Sequence, residues 1–213
     1  NDESVNYMNA GAALGRTVVV VAEDGNIVGL MSIADTLRKG VKDNIMKIKQ
    51  VGIEKVVMLS GDTLSVAREV ASQVGIDEVH ANLFPEDKVK YVEECRRKGN
   101  RVIVVGDGIN DAPALASANV GIAMGITGTD VAMETAGIVL MTDDLSKVAK
   151  TVSLSRRVLS VVKQNVIFAL GVNVVGLLLS TQGFVSPVLA SVIHEGNALI
   201  VAFNSLRLLG RFH

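Results

Sequence analysis

The chain has 213 residues, enough for one or two domains, and 49% of them are hydrophobic, a high share for a wholly soluble protein. Its formal net charge of −1 offers nothing to a nucleic-acid backbone, and with no Trp and only 3% aromatics it lacks the means to stack bases. The single cysteine, Cys95, excludes an internal disulfide and fits a reduced, cytosolic face.

The opening Asn1-Asp2-Glu3-Ser4 has no basic stretch leading into an apolar one, so it is not read as a signal peptide, and residues 1–16 read as a remnant or linker. Two β-rich runs, Thr17 to Ala22 and Ile27 to Ile33, are joined by Glu23-Asp24-Gly25-Asn26, a sequence suited to a hairpin turn. Leu37, Val41, Ile45 and Ile48 recur at helical spacing on one face, and Gly52 closes that helix. Lys55 to Leu59 is the next strand, ending at Ser60-Gly61-Asp62, and Val66, Val70 and Val74 mark the helix after it. Val79 to Leu83 reads as a short strand, and Pro85 stands at the first position of a helix, where its missing N–H costs nothing. Cys95 lies on that helix among Glu93, Glu94, Arg96 and Arg97 and reads as an ordinary helix cysteine.

Arg101 to Val105 is a short β-branched run read as a strand buried on both faces, and Val120 to Ala123 and Ile138 to Met141 complete the set. Strands alternating with helices predict an α/β fold with a Rossmann-like parallel sheet over about residues 17–150. A further helix starts near Asp143 or Asp144, and two apolar spans follow, Asn165 to Thr181 and Val185 to about Leu206. Arg156, Arg157 and Lys163 precede the first span while Arg207 and Arg211 follow the second. By the positive-inside rule both outer ends face the cytoplasm, so residues 151–213 form a membrane-proximal helix and a transmembrane hairpin.

The segment with most to say about chemistry follows the Arg101 to Val105 strand: Gly106-Asp107-Gly108-Ile109-Asn110-Asp111-Ala112-Pro113. Glycine lets the backbone approach an ion or a phosphate closely, and two carboxylates at the carboxyl end of a parallel strand are hard oxygen ligands suited to magnesium. Four loops are expected at that edge of one sheet: Asp35, Ser60-Gly61-Asp62, the Lys88 region and the Asp107 loop. Phosphoryl transfer needs a metal, donors to the equatorial oxygens and a balancing cation. Ser60 and the backbone about Gly61 can donate, Lys88 can supply the cation, Asp107 can hold magnesium with Asp111 supporting it and Gly108 giving access, and Asn110 can bond the phosphoryl group.

The eight-residue string resembles the magnesium-binding signature of P-type cation-transporting ATPases, whose phosphorylation domain belongs to the haloacid dehalogenase superfamily. The likeness continues in Asp35-Thr36-Leu37-Arg38, Met58-Leu59-Ser60-Gly61-Asp62, Pro85-Glu86-Asp87-Lys88 and Gly128-Thr129-Asp130-Val131-Ala132. Ser60 stands where the family usually has Thr and keeps the hydroxyl. The resemblance implies ATP and magnesium as cofactors, and it makes residues 1–16 a remnant of a nucleotide-binding domain. It also implies an aspartyl nucleophile in Asp-Lys-Thr-Gly, yet the only Asp-Lys here is Asp87-Lys88, followed by Val89. On this reading the chain is a carboxyl-terminal portion, inactive alone, of a multi-pass membrane protein with its phosphorylation domain in the cytoplasm. Actuator, nucleotide-binding and earlier membrane segments would lie elsewhere in that parent.

Asn173 falls near the middle of the first span, and His194, Glu195 and Asn197 near the middle of the second. Ionisable groups at that depth usually face a binding pathway, and imidazole with carboxylate suits a divalent transition metal: cobalt, iron, zinc or nickel. The hairpin has no Cys or Met to favour copper(I), and His80 and His213 are not counted as ligands. His194-Glu195-Gly196-Asn197 with Asn204-Ser205-Leu206-Arg207 resembles the last membrane helix of the heavy-metal branch of that family. Two other readings compete: a membrane-anchored phosphatase of the same superfamily, and a non-catalytic magnesium- or nucleotide-binding regulatory fragment.

Overall fold

The structure, a computed structural model, describes residues 17–33, 37–125 and 133–209. Asp35, the Gly128 to Ala132 run, His213 and residues 1–16 lie outside them. The chain divides into two compact units between Ala149 and Lys150.

In the first unit, β1 (Thr17–Glu23) and β2 (Asn26–Ile33) pair antiparallel. Asp24 and Gly25 turn the chain at φ 49 and 83, the two positive angles that a hairpin turn matched to the strand twist requires. Helix α1 (Val41–Gln50) starts later than its apolar spacing predicts, because Gly40 sits in the left-handed region at φ 78 and Leu37 stays exposed outside the helix. Ile45 and Ile48 form its buried stripe.

β3 (Val57–Leu59) and β4 (Glu78–His80) pair in parallel around α2 (Leu64–Val74), which buries Ala67, Ala71 and Val74 at one helical face. β4 is shorter and earlier than Val79 to Leu83. Asn82, at φ 56, turns the chain out of the extended form, and its N–H donates to the Asp62 carbonyl at 2.8 Å. At the start of β4, the Glu78 side chain accepts from Lys55, lies 2.5 Å from His80 Nε2 and accepts from the Tyr91 hydroxyl at 3.2 Å. The Lys55 ammonium, chiefly, and these neighbours hold its carboxyl down at about 2.

Helix α3 (Pro85–Arg97) has Pro85 at its first position, and the Asp87 carboxylate accepts the Phe84 N–H at 3.2 Å, satisfying one orphan donor of the first turn. β5 (Ile103–Gly106), β6 (Val120–Met124) and β7 (Ile138–Leu140) form a second parallel group in the order β5-β6-β7, with α4 (Ala112–Ser117) between β5 and β6. The α/β parallel-sheet fold expected from the sequence is present, its strands lying in two parallel groups: among the described residues β3 and β5 are not hydrogen-bonded to each other. The strand expected at Arg101 starts at Ile103, because the Val102 N–H is taken by Asn119 Oδ1 at 2.8 Å. Nor is it buried on both faces, since Val105 is 38% exposed on an edge strand. One core joins the groups nonetheless, made of Ile45, Ile48, Val74, Ile122, Val148 and Ala149. Burying a side chain of that size contributes about 1.5–3 kcal/mol.

The helix that caps on Asp144, whose Oδ1 accepts the Ser146 N–H at 2.9 Å, begins in the first unit and runs unbroken into the second as α5 (Ser146–Thr181). The next, α6 (Pro187–Leu206), begins at Pro187 rather than Val185, with Ser186 Oγ accepting the Leu189 N–H at 3.3 Å. Both are long and apolar enough to cross a membrane. At 1.5 Å per residue α5 extends roughly 54 Å, well beyond the ~30 Å hydrocarbon layer, so its Arg156- and Lys163-bearing half is left for the aqueous side. One end of the hairpin is clasped by polar groups: Asn165 Nδ2 donates to Ser205 Oγ at 2.9 Å and Asn204 Nδ2 to Asn165 Oδ1 at 2.8 Å.

β6 passes so close to α4 that a Cβ on Gly121 would lie 2.6 Å from the Leu115 carbonyl oxygen. Gly121→Ala should therefore destabilise the first unit by about 1–3 kcal/mol, seen as a lower midpoint in thermal or urea unfolding. Gly137→Ala, whose nearest neighbour would be 3.9 Å away, should leave that midpoint unchanged.

Candidate functional site

The loop after β3 is tied into the segment that leads to α3. Ser60 N–H donates to the His80 carbonyl at 2.9 Å, and the Ser60 carbonyl accepts from Leu83 N–H at 3.0 Å. The Ser60 hydroxyl donates to Asp62 Oδ2 at 2.8 Å and accepts the Asp62 N–H at 3.1 Å, so both residues of the pair are oriented by each other. Gly61 is exposed between them, with room for a Cβ at 3.4 Å from the Leu83 carbonyl.

The loop after β5 is organised by Asp107. Its Oδ1 accepts the N–H groups of Ile109 at 2.9 Å and Asn110 at 3.0 Å, and Oδ2 accepts Asn110 Nδ2 at 2.9 Å. Partial burial pushes this carboxyl up, but the hydrogen bonds from Ile109 and Asn110 outweigh it and hold Asp107 below its ordinary value. Gly108 is buried at the turn. Asp111 occupies the N-cap of α4 without capping it, and its Oδ1 instead lies 2.7 Å from Lys88 Nζ, with the two side chains 22% and 18% exposed. A Cβ on Gly106 would stand 2.6 Å from both Cβ and Oδ2 of Asp111, so only glycine leaves that carboxylate in place.

Three bonded groups thus stand on consecutive segments: Ser60 with Asp62, tied to Asn82 and Leu83 just before α3; Lys88 of α3 with Asp111; and Asp107 with Asn110 after β5. Among the described residues no three His, Cys, Asp or Glu side chains gather in a metal-holding group. A magnesium ion usually takes one or two carboxylates and completes its shell with water and phosphate oxygens, and the ionised, oriented Asp107 beside Asp111 fits that pattern.

Sequence reasoning missed Asp143. Arg38 donates from Nη1 to the Asp143 carbonyl and from Nη2 to its Oδ2, both at 3.0 Å, and a Cβ on Gly125 would meet Asp143 Oδ1 at 2.7 Å. The available signal was the doublet Asp143-Asp144, since one carboxylate suffices to cap α5.

In the hairpin the four polar residues named as candidate cation ligands do not face one way. Asn173, His194 and Glu195 are exposed, whereas Asn197 is 8% exposed and its Oδ1 has no hydrogen-bond partner. Helical rotation of about 100° per residue puts Glu195 and Asn197 on opposite sides of α6. An orphaned buried oxygen in this position fits a water or a cation.

Residues 5–119 match the model of the haloacid dehalogenase-like hydrolases, more than half of the chain, and the chain belongs to that family. Among its curated relatives are metal-transporting P-type ATPases. It is 42% identical over 195 residues to a probable cadmium-transporting ATPase of Staphylococcus aureus, covering 92% of this chain and 24% of that protein. It is 44% identical over 193 residues to the zinc-exporting P-type ATPase of Mycobacterium marinum, covering 91% and 26%. A crystal structure of a zinc-transporting PIB-type ATPase in the E2·Pi state matches with a TM-score of 0.84 and 36% identity, covering 98% of this chain and 34% of that one. The chain spans about a quarter of the length of the curated relatives named here.

The hydrogen bonds to Asp107 have a pH consequence. A carboxyl whose folded value is depressed adds stability that is present above its unfolded value, about 3.9, and is lost as pH falls through the lower folded one. A carbon-13 titration should find Asp107 half-protonated below pH ~3.9, and Asn110→Ala should move it up toward that ordinary value.

Proposed function

We propose that this chain is part of an ATP-driven membrane transporter of a divalent transition-metal cation. The observation that carries the reading is the set Ser60, Lys88, Asp107, Asn110 and Asp111, joined in sequence to a hairpin of bilayer length with polar residues at mid-span. An aspartyl carboxylate on another part of the protein attacks the γ-phosphorus of ATP, ADP leaves, and water later cleaves the acyl phosphate. Asp107, supported by Asp111, would hold magnesium, which would supply charge neutralisation on the phosphoryl oxygens. Ser60 and the backbone at Gly61 donate to those oxygens, Asp62 orients Ser60, Asn110 donates beside them, and Lys88 balances the Asp111 carboxylate. Gly108 keeps the loop open to a phosphate.

Because Asp-Lys-Thr-Gly is not in this sequence, the chain by itself should turn over no ATP. His194, Glu195, Asn173 and Asn197 belong to the cation path, with imidazole nitrogen and carboxylate oxygen suiting zinc, cobalt, nickel or iron, and the absence of Cys and Met from the hairpin arguing against copper(I). Relatives named for cadmium, zinc and manganese support a divalent cargo. The lipid bilayer surrounds the hairpin, and actuator and nucleotide-binding segments complete the working protein.

In the full-length protein, Asp107→Asn should lower ATPase activity by about 10²-fold or more. His194→Ala and Glu195→Ala should each lower metal-stimulated turnover by about 10- to 100-fold while leaving nucleotide binding intact. Undiminished stimulation in both would remove that pair from the cation path, and undiminished activity in Asp107→Asn would sink the phosphoryl-transfer assignment.

A further inference from the structure

Three arginines cluster at the opposite edge of the first unit from the Asp107 loop, where α3 ends and β5 and β6 begin. Here a surface cleft of about 480 Å³ is lined by Glu93, Arg96, Arg97, Asn100, Arg101 and Asn119. That volume is in the range that holds a small ligand. Its walls are built rather than loose. Gly99, at φ 86, reverses the chain after α3, with its N–H on the Arg96 carbonyl at 2.9 Å and the Asn100 N–H on the Cys95 carbonyl at 3.1 Å. These two bonds are those of a Schellman cap, and they fold Arg101 back beside Arg97. Asn119 then locks the start of β5: its Oδ1 accepts the Val102 N–H at 2.8 Å and its N–H donates to the Val102 carbonyl at 3.1 Å.

Of the three guanidinium groups, only Arg96 is spent on the fold, donating to the Ser117 carbonyl at 2.5 Å. Arg97 and Arg101 are exposed and make no hydrogen bond or ion pair among the described residues. Two unspent planar donors on a braced loop match the oxygens of a phosphate group, which arginine binds through paired hydrogen bonds. Glu93 is the one acidic group on the wall and opposes an anion there.

We propose that this cleft binds a phosphate group through Arg97 and Arg101, separately from the phosphoryl-transfer loops at the other end of the strands. The group can come from an anionic lipid headgroup, abundant beside a chain with two bilayer-length helices, or from a soluble phosphate.

The test uses the full chain in neutral detergent, titrated by calorimetry with short-chain phosphatidic acid and, separately, with inorganic pyrophosphate. Arg97→Gln/Arg101→Gln should weaken binding by about tenfold or more, Glu93→Gln should tighten it, and Lys88→Ala at the other edge should leave this binding event in place. The two substituted arginines touch nothing the fold needs, so unchanged melting of the double variant is expected and separates lost binding from misfolding. Binding of the lipid alone assigns the headgroup, and binding of pyrophosphate alone assigns a soluble ligand. Affinity unchanged in the double variant, affinity lost in Lys88→Ala instead, or no binding of either probe overturns the proposal.

Discussion

The Lys88–Asp111 ion pair is the contact on which the rest of the site depends. β3 and β4 belong to one hydrogen-bonded group and β5, β6 and β7 to another, so among the described residues no strand ladder fixes the Ser60 loop relative to the Asp107 loop. What fixes them is α3, which takes its start from the Ser60 side through Leu83 and gives Lys88 to the Asp107 side at 2.7 Å. Both side chains are about four-fifths removed from water, where a pair is screened far less than at the surface. Removing Lys88 would leave the Asp111 carboxylate half-buried next to Asp107, an arrangement worse than having neither partner. Asp111 is committed to this role by its surroundings: Gly106 yields the space, and the α4 N-terminus is left without the side-chain cap that an aspartate there would ordinarily supply.

The division of the strands also explains their uneven burial. β6 has neighbours on both edges and buries Gly121, Ile122 and Ala123, as a parallel strand in the middle of a sheet does. Among the described residues β5 has a neighbour on one edge only, and Val105 is 38% exposed. The chemistry-bearing loops leave from β3 and β5, each of which is an edge strand among the described residues.

Much of this was legible in the sequence because local signals fix local structure. Asp24-Gly25 specifies a hairpin turn, Pro85 a helix start, and alternating apolar runs and helical stripes the α/β pattern. Three things were not legible, each for a stated reason. The lengths of β4 and α1 are set by single residues with positive φ, Asn82 and Gly40, that interrupt otherwise suitable apolar spacing. Strand pairing is a long-range property, so nothing in the β3 or β5 sequence reveals an unpaired edge. The links Lys88 to Asp111 and Arg38 to Asp143 join positions 23 and 105 residues apart, and a charged side chain on a helix or loop does not advertise its partner.

The hairpin shows the same limit in another form, since neighbours in sequence there are not neighbours in space. Asn197 lies seven residues before Asn204, nearly two whole helical turns, so it falls on the stripe that meets α5, where Asn204 is held by Asn165. Seven residues along α5 from Asn165 is Val172, which has no group to offer it, while Asn173 is turned away by a further ~100°. Asn197 Oδ1 is buried without a hydrogen-bond partner, and an unmet acceptor removed from water is costly. His194 and Glu195, three and two residues earlier on α6, are exposed. Two helices alone thus satisfy neither set: the inward oxygen lacks a donor or cation, and the outward imidazole and carboxylate need polar partners from other helices or a water-filled path if they are to sit within a bilayer.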